Sequence, residues 1–122
     1  MTRVEPRPAA LDALYAAEAI GADEPDVEGL GRRARHLVSG TWRHRSELDA
    51  ELAGASHGWR LERMPAVDRN ILRLALFELR HTETPVGVVI SEAVKLAKTY
   101  STVRSGSYVN GILGNLAEKG SK

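Results

Sequence analysis

The fold class expected from this chain is all-α: a compact bundle of about six helices in two small helical subdomains. Three observations predict it. Apolar residues recur at three-, four- and seven-residue steps along most of the sequence, the spacing that lines one face of a helix. No segment alternates polar and apolar residues long enough to suggest a sheet. The periodic segments are bounded by glycines and prolines, such as Gly21, Pro65 and Pro85, where helices stop or start.

Residues 1–7 hold two prolines in a short polar stretch and are expected to form a flexible tail. From Pro8 the run Ala9, Leu11, Leu14, Tyr15, Ala17, Ala19 predicts a three-turn helix that Gly21 ends. Residues 21–26 make a linker, with Asp26 a candidate N-cap. Leu30, Ala34, Leu37, Thr41, Leu48 and Leu52 form the next stripe, joined by Val38 and Trp42. This is one long helix or two helices bent near Gly40, and its other face carries Arg32, Arg33, Arg35, Arg43 and Arg45. Gly54 to Gly58 is a break. Trp59 is assigned to core or subdomain-junction packing.

Residues 65–80 are apolar over most of their circumference, which predicts a central helix. Its polar strip is Arg69, Arg73 and Arg80. Another helix runs from Thr84 and Pro85 to about Tyr100, with Val86, Val89, Ile90, Ala93, Leu96, Ala97 and Tyr100 inward. Ser101 to Ser105 is a polar connection, and a last helix spans about Ser107 to Glu118. Gly111 and Gly114 are expected to let a neighbouring helix approach. The domain organisation expected is a tail at 1–7, one helical domain at 8–118 with subdomains at about 8–56 and 57–118, and a tail at 119–122.

Composition narrows the function. Aromatics make up 5% against 43% hydrophobic residues, so the core is mostly Leu, Ala, Val and Ile. The formal charge is +1, with −2 in residues 1–60 and +3 in residues 61–122. That excludes coating nucleic acid by charge alone; RNA binding needs a local patch. The absence of cysteine excludes disulfides, thiolate metal sites and a Cys nucleophile. No apolar stretch approaches membrane-spanning length, so a cytoplasmic protein without a membrane partner is expected. His36, His44, His57 and His81 show no metal-ligand spacing. There is no phosphate-cradling glycine loop, and the serines have no base partner by spacing. Neither enzymatic activity, nor a cofactor, nor a metal is expected.

Four segments carry a resemblance. They are Ala13-Leu14-Tyr15; Leu61-Glu62-Arg63-Met64-Pro65-Ala66-Val67-Asp68-Arg69 after Trp59; Ile71-Leu72-Arg73-Leu74-Ala75 with Phe77-Glu78-Leu79; and Pro85, Val89-Ile90, Glu92-Ala93-Val94, Leu96-Ala97-Lys98 and Tyr108-Val109-Asn110-Gly111. In this order and spacing the chain resembles the NusB family of transcription antitermination proteins over residues 8–118. The resemblance implies a boxA RNA ligand from ribosomal RNA leaders. It implies the small-subunit ribosomal protein NusE as partner, and a Nus-modified RNA polymerase complex as the setting. Some members form homodimers, so a homodimer with masked RNA surface is an alternative assembly. The module also resembles the N-terminal region of some ribosomal RNA cytosine methyltransferases, whose large cofactor-binding domain 122 residues do not accommodate. Against the family pattern, the N-terminal arginine run shrinks to Arg3 and Arg7, the linker at 21–26 is short, Ser91 replaces Asn, and Tyr108 replaces Phe.

The resemblance implies RNA contacts at Arg3, Arg7, Lys98, Arg104, Tyr108 and Asn110, and partner contacts at Tyr15 and Glu78. Each has a plainer reading. Tyr108 can stack a splayed base or simply pack on the core. Asn110 can bond a base or fix the 101–106 connection. Tyr15 by itself fits a core position, and Glu78 a solvated one. Arg69, Arg73, Lys95, Lys98 and Arg104 can meet phosphates, or only water and nearby carboxylates such as Asp68. Lys98 and Arg104 rank first because they flank the loop before Tyr108, and Arg3 and Arg7 second.

Overall fold

The computed structural model describes residues 5–55 and 60–120. Trp59 lies outside them. Six helices follow in order: α1 Arg7–Ile20, α2 Arg32–Arg43, α3 Arg45–Ala55, α4 Ala66–His81, α5 Val86–Tyr100 and α6 Val103–Gly120, with a 3-10 turn Leu61–Arg63 before α4. There is no strand among the described residues.

Helix α4 is central because it is apolar nearly all round. Ten of its sixteen residues are buried, and α1, α2, α3, α5 and α6 all pack on it. One apolar cluster runs from Ala10 to Leu116 and draws on all six helices. The boundary expected near residue 56 falls at the undescribed residues 56–59, and the helices on its two sides share that cluster. Pro65 and Pro85 each sit just before a helix in extended backbone (ψ 140° and 139°). Their carbonyls accept from Arg69 N and Val89 N at 3.0 Å, so each proline starts a helix without losing a donor. Gly21 closes α1 at φ 66°, and the Ala22 amide reaches back to the Ala17 carbonyl at 2.9 Å.

Several boundaries differ from the expected ones. Leu30 lies outside α2, because Gly29 turns the chain at φ 84° and Gly31 is the N-cap. Asp26 caps that turn and not a helix: its Oδ1 accepts from Glu28 N at 3.0 Å. Helices α2 and α3 part at His44, not Gly40. Helix α6 begins at Val103, four residues early, because the Thr102 hydroxyl accepts the Ser105 amide at 2.9 Å and caps it. Val86 and Tyr100, expected inward, are exposed at the two ends of α5. Gly111 and Gly114 face open space, where an added methyl would meet nothing within 4 Å.

Close approach instead occurs at Gly40, where the Phe77 ring of α4 occupies the space a Cβ would take. Phe77 is flanked by His36, His44 and His81, with the His44 and His81 rings stacked at 4.3 Å. Gly40→Ala is expected to destabilise the fold by about 1–3 kcal/mol through overpacking. Urea unfolding measures this, and adding Phe77→Leu should restore part of the loss.

Candidate functional site

Of the four sequence-nominated residues from Lys98 to Asn110, the structure brings Lys98 and Asn110 together in a groove where α5 meets α6, and Arg104 and Tyr108 are not among its lining. Helix α5 offers Ser91, Val94 and Lys98; α6 offers Gly106, Ser107 and Asn110, and the six line one open groove. The stem of Lys98 lies against Gly106, where an added Cβ would stand 2.9 Å from Lys98 Cγ. Gly106 thus leaves room for the lysine to lie across α6, with its head exposed. Arg104 projects from the first turn of α6, and Asn110 is exposed two turns on.

Tyr108 is half-buried, and its hydroxyl donates to Asp68 Oδ2 on α4. Ser105 Oγ donates to the same oxygen at 3.0 Å. Asp68 is 1% exposed, so this carboxylate ties the start of α6 to the start of α4 from inside. Burial, and then the bond to Asp68, push the Tyr108 hydroxyl well above the usual tyrosine range. It therefore stays a protonated donor at neutral pH, and the ring is held in one orientation.

Other nominated residues are used differently. Arg7 and Glu78 form a buried two-pronged pair: Nε and NH2 of Arg7 each lie 2.8 Å from a Glu78 oxygen. Arg7 is 5% exposed and Glu78 1%. The pair clamps the start of α1 onto α4, so Arg7 presents no free charge to a phosphate and Glu78 none to a partner protein. The reason is packing: Glu78 lies beside Arg7 together with Ile71 and Leu74 of α4 and Val89 and Leu96 of α5. Tyr15 is 42% exposed on α1 and free to meet a partner surface. Arg3 lies outside the described residues.

The arginine strip of α4 is internal too. Arg73 bonds Asp49 through Nε at 2.7 Å and NH2 at 2.8 Å, and Glu18 through NH1 at 2.6 Å. Arg69 bonds Glu18 at 2.8 Å and the Met64 carbonyl at 3.0 Å. Arg80 bonds Glu51 at 3.0 Å. Asp68 pairs with neither arginine. Trp42 donates to the Asp23 carbonyl at 3.0 Å and carries Arg45 over its ring at 3.5 Å, which pins the 21–26 linker to α2.

Sequence reasoning missed Asp68 as the anchor of Tyr108, and Ser107 and Gly106 as groove residues. The Thr102-x-x-Ser105 capping spacing was the available signal for α6 starting early; the α4-to-α6 contact has no local signal. Among the described residues no group of three or more His, Asp or Glu side chains could hold a metal, and no helix is long and apolar enough to cross a membrane. The groove offers one cation, an amide and hydroxyls, which suits binding more than bond-making chemistry.

The chain is similar to known proteins over most of its length. A family model described as the NusB family matches residues 4–118. The transcription antitermination protein NusB of Symbiobacterium thermophilum is 43% identical over 136 residues, covering 95% of this chain and 89% of that protein. Among solved structures, NusB of T. maritima superposes with a TM-score of 0.82 at 32% identity, covering 97% of this chain and 94% of that one. A chain in the crystal structure of a plectonemic RNA supercoil superposes with a TM-score of 0.80 at 28% identity, covering 93% and 92%.

Proposed function

The chain belongs to the NusB family of transcription antitermination proteins, and from that premise we propose that it binds boxA-type leader RNA together with NusE, without catalysis, in support of ribosomal RNA transcription by a Nus-modified polymerase. The observation that supports this most is the α5/α6 groove lined by Lys98, Asn110, Ser91 and Ser107, with Arg104 and Tyr108 also on helix α6. Lys98 and Arg104 contact phosphates and set the register of the strand. The Tyr108 ring stacks a base, and Asn110, Ser91 and Ser107 meet base edges and sugar hydroxyls. Tyr15 meets NusE, where an amphipathic ring suits an interface.

With one cation lining the groove and Arg104 exposed on α6, the isolated chain binds RNA weakly, and NusE extends the surface. Titration of boxA RNA with and without NusE tests this; a Kd that does not tighten with NusE contradicts it. Lys98→Gln should lower the salt slope by about 0.7, the share of one phosphate on a single strand. Tyr108→Phe keeps the ring and should hold most of the affinity. Tyr108→Leu removes stacking and should lose about 1–3 kcal/mol per stacked base. Equal binding by the two variants would remove Tyr108 from the RNA contact.

A further inference from the structure

Residues 29–46 hold five arginines and no Asp or Glu. On α2, Arg32, His36, Ser39 and Arg43 follow i, i+4, i+7, i+11 spacing and share one face, and all four are exposed. Arg33 is exposed beside that face and lines a groove against the α4–α5 connection, together with His36, His81 and Thr84. The acids of that groove are Glu78, already held by Arg7, and Glu83.

Two physical features separate these arginines from those of α1 and α4. Arg7, Arg69, Arg73 and Arg80 each meet a carboxylate, whereas Arg32, Arg33, Arg35 and Arg43 form no ion pair among the described residues. In addition, Arg32, Arg33 and Arg35 crowd the first turn of α2, which holds no acid. Cations there oppose the helix dipole and repel one another, so they disfavour the isolated fold and an anionic ligand relieves them.

We propose that this face of α2 is a second RNA contact, a sequence-independent track for the phosphodiester backbone on a different side of α4 from the α5/α6 groove. It rests on the RNA binding proposed above and extends it to a strand that reaches past boxA. Arg32 to Arg43 spans about 16 Å at 1.5 Å per residue, the reach of several phosphates. Arginine forks match phosphate oxygens in pairs. Arg32, His36, Ser39 and Arg43 include none of the Trp, Tyr, Phe or Met anchors that protein interfaces bury, which favours RNA over an acidic protein.

The test is the full chain with Arg32→Gln, Arg33→Gln and Arg43→Gln combined, titrated at several salt concentrations with boxA RNA extended by twenty unrelated nucleotides and with boxA alone. All three positions are exposed, and Gln keeps helix propensity, so an unchanged circular dichroism melt is the control. For the extended RNA the salt slope should fall by about 2 and the affinity by about 30-fold near 0.15 M salt, with boxA alone little affected. The triple Lys variant should keep the slope. Wild-type affinity and slope in the Gln variant would overturn the α2 track while leaving the groove reading intact. Failure of the wild-type protein to bind either RNA would overturn both. If poly-glutamate competed as well as RNA of equal charge, the face would belong to an acidic protein and the assignment to RNA would fall.

Discussion

Glu78→Gln is expected to lower the unfolding free energy by about 3–5 kcal/mol, because it leaves the buried Arg7 guanidinium without its counter-charge. Arg7 and Glu78 are 5% and 1% exposed and joined by two bonds of 2.8 Å. The remaining acid at Arg7, Glu5, is exposed and bonds a different nitrogen. Urea unfolding gives the value. Exchanging both partners, as Arg7→Met with Glu78→Leu, should recover most of the loss, since an apolar pair of similar volume avoids the desolvation of two charges. If Glu78→Gln unfolded like the wild type, the clamp between α1 and α4 would not be a feature of the folded state. It follows that Glu78→Lys reports on folding and not on a partner interface. Tyr15→Asp, at a 42% exposed position, should change stability by less than about 0.5 kcal/mol, and so isolates the proposed NusE surface.

The second large effect lies at Arg73. This side chain links Asp49 on α3, Glu18 on α1 and Asn70 within α4, so one residue joins three helices. Arg73→Met should destabilise by about 3–5 kcal/mol, leaving two carboxylates facing a half-buried site without their shared cation. The same network predicts a pH dependence. Burial works to raise the Glu18 carboxyl, but bonds from Arg69 and Arg73 outweigh it and hold it at about 2 against an ordinary 4.5. A depressed carboxylate stabilises the fold above its unfolded value, and that contribution is lost as pH falls through the folded value. Glu18→Gln should therefore be the less stable protein at pH 7, with the gap to wild type closing between pH 4.5 and about 2. Denaturant melts across that range measure it. A gap that widened on acidification would contradict the network.

Much of this architecture was legible because its causes are local. The 3.6-residue stripes, Gly21, and the prolines at 65 and 85 all act within a turn or two of chain. The apolar character of residues 65–80 over most of their circumference marked α4 as the centre of the bundle. What escaped was decided by contacts distant in sequence. Gly40 looked like a weak point in a helix, yet it is the seat of Phe77, thirty-seven positions on. Arg69 and Arg73 looked like a solvent-facing strip, yet α1 and α3 bring Glu18 and Asp49 over them. Lys98, Arg104, Tyr108 and Asn110 were nominated from the resemblance, and Lys98 and Arg104 ranked first because they flank the connection before Tyr108. Arg7 and Glu78 were nominated from a resemblance that does not carry the pairing between them. The bond from Tyr108 to Asp68 joins residues forty positions apart, so no local pattern foretells it.

The most direct test of the RNA-binding face is an amide NMR titration of the protein with boxA RNA, at a salt concentration low enough to hold the complex. The account predicts that the largest shifts fall on Ser91 to Asn110 around the α5/α6 groove, while Tyr15 and its neighbours on α1 move only when NusE is added. Shifts centred on α1 or α3, with residues 91–110 unmoved at saturation, would contradict it.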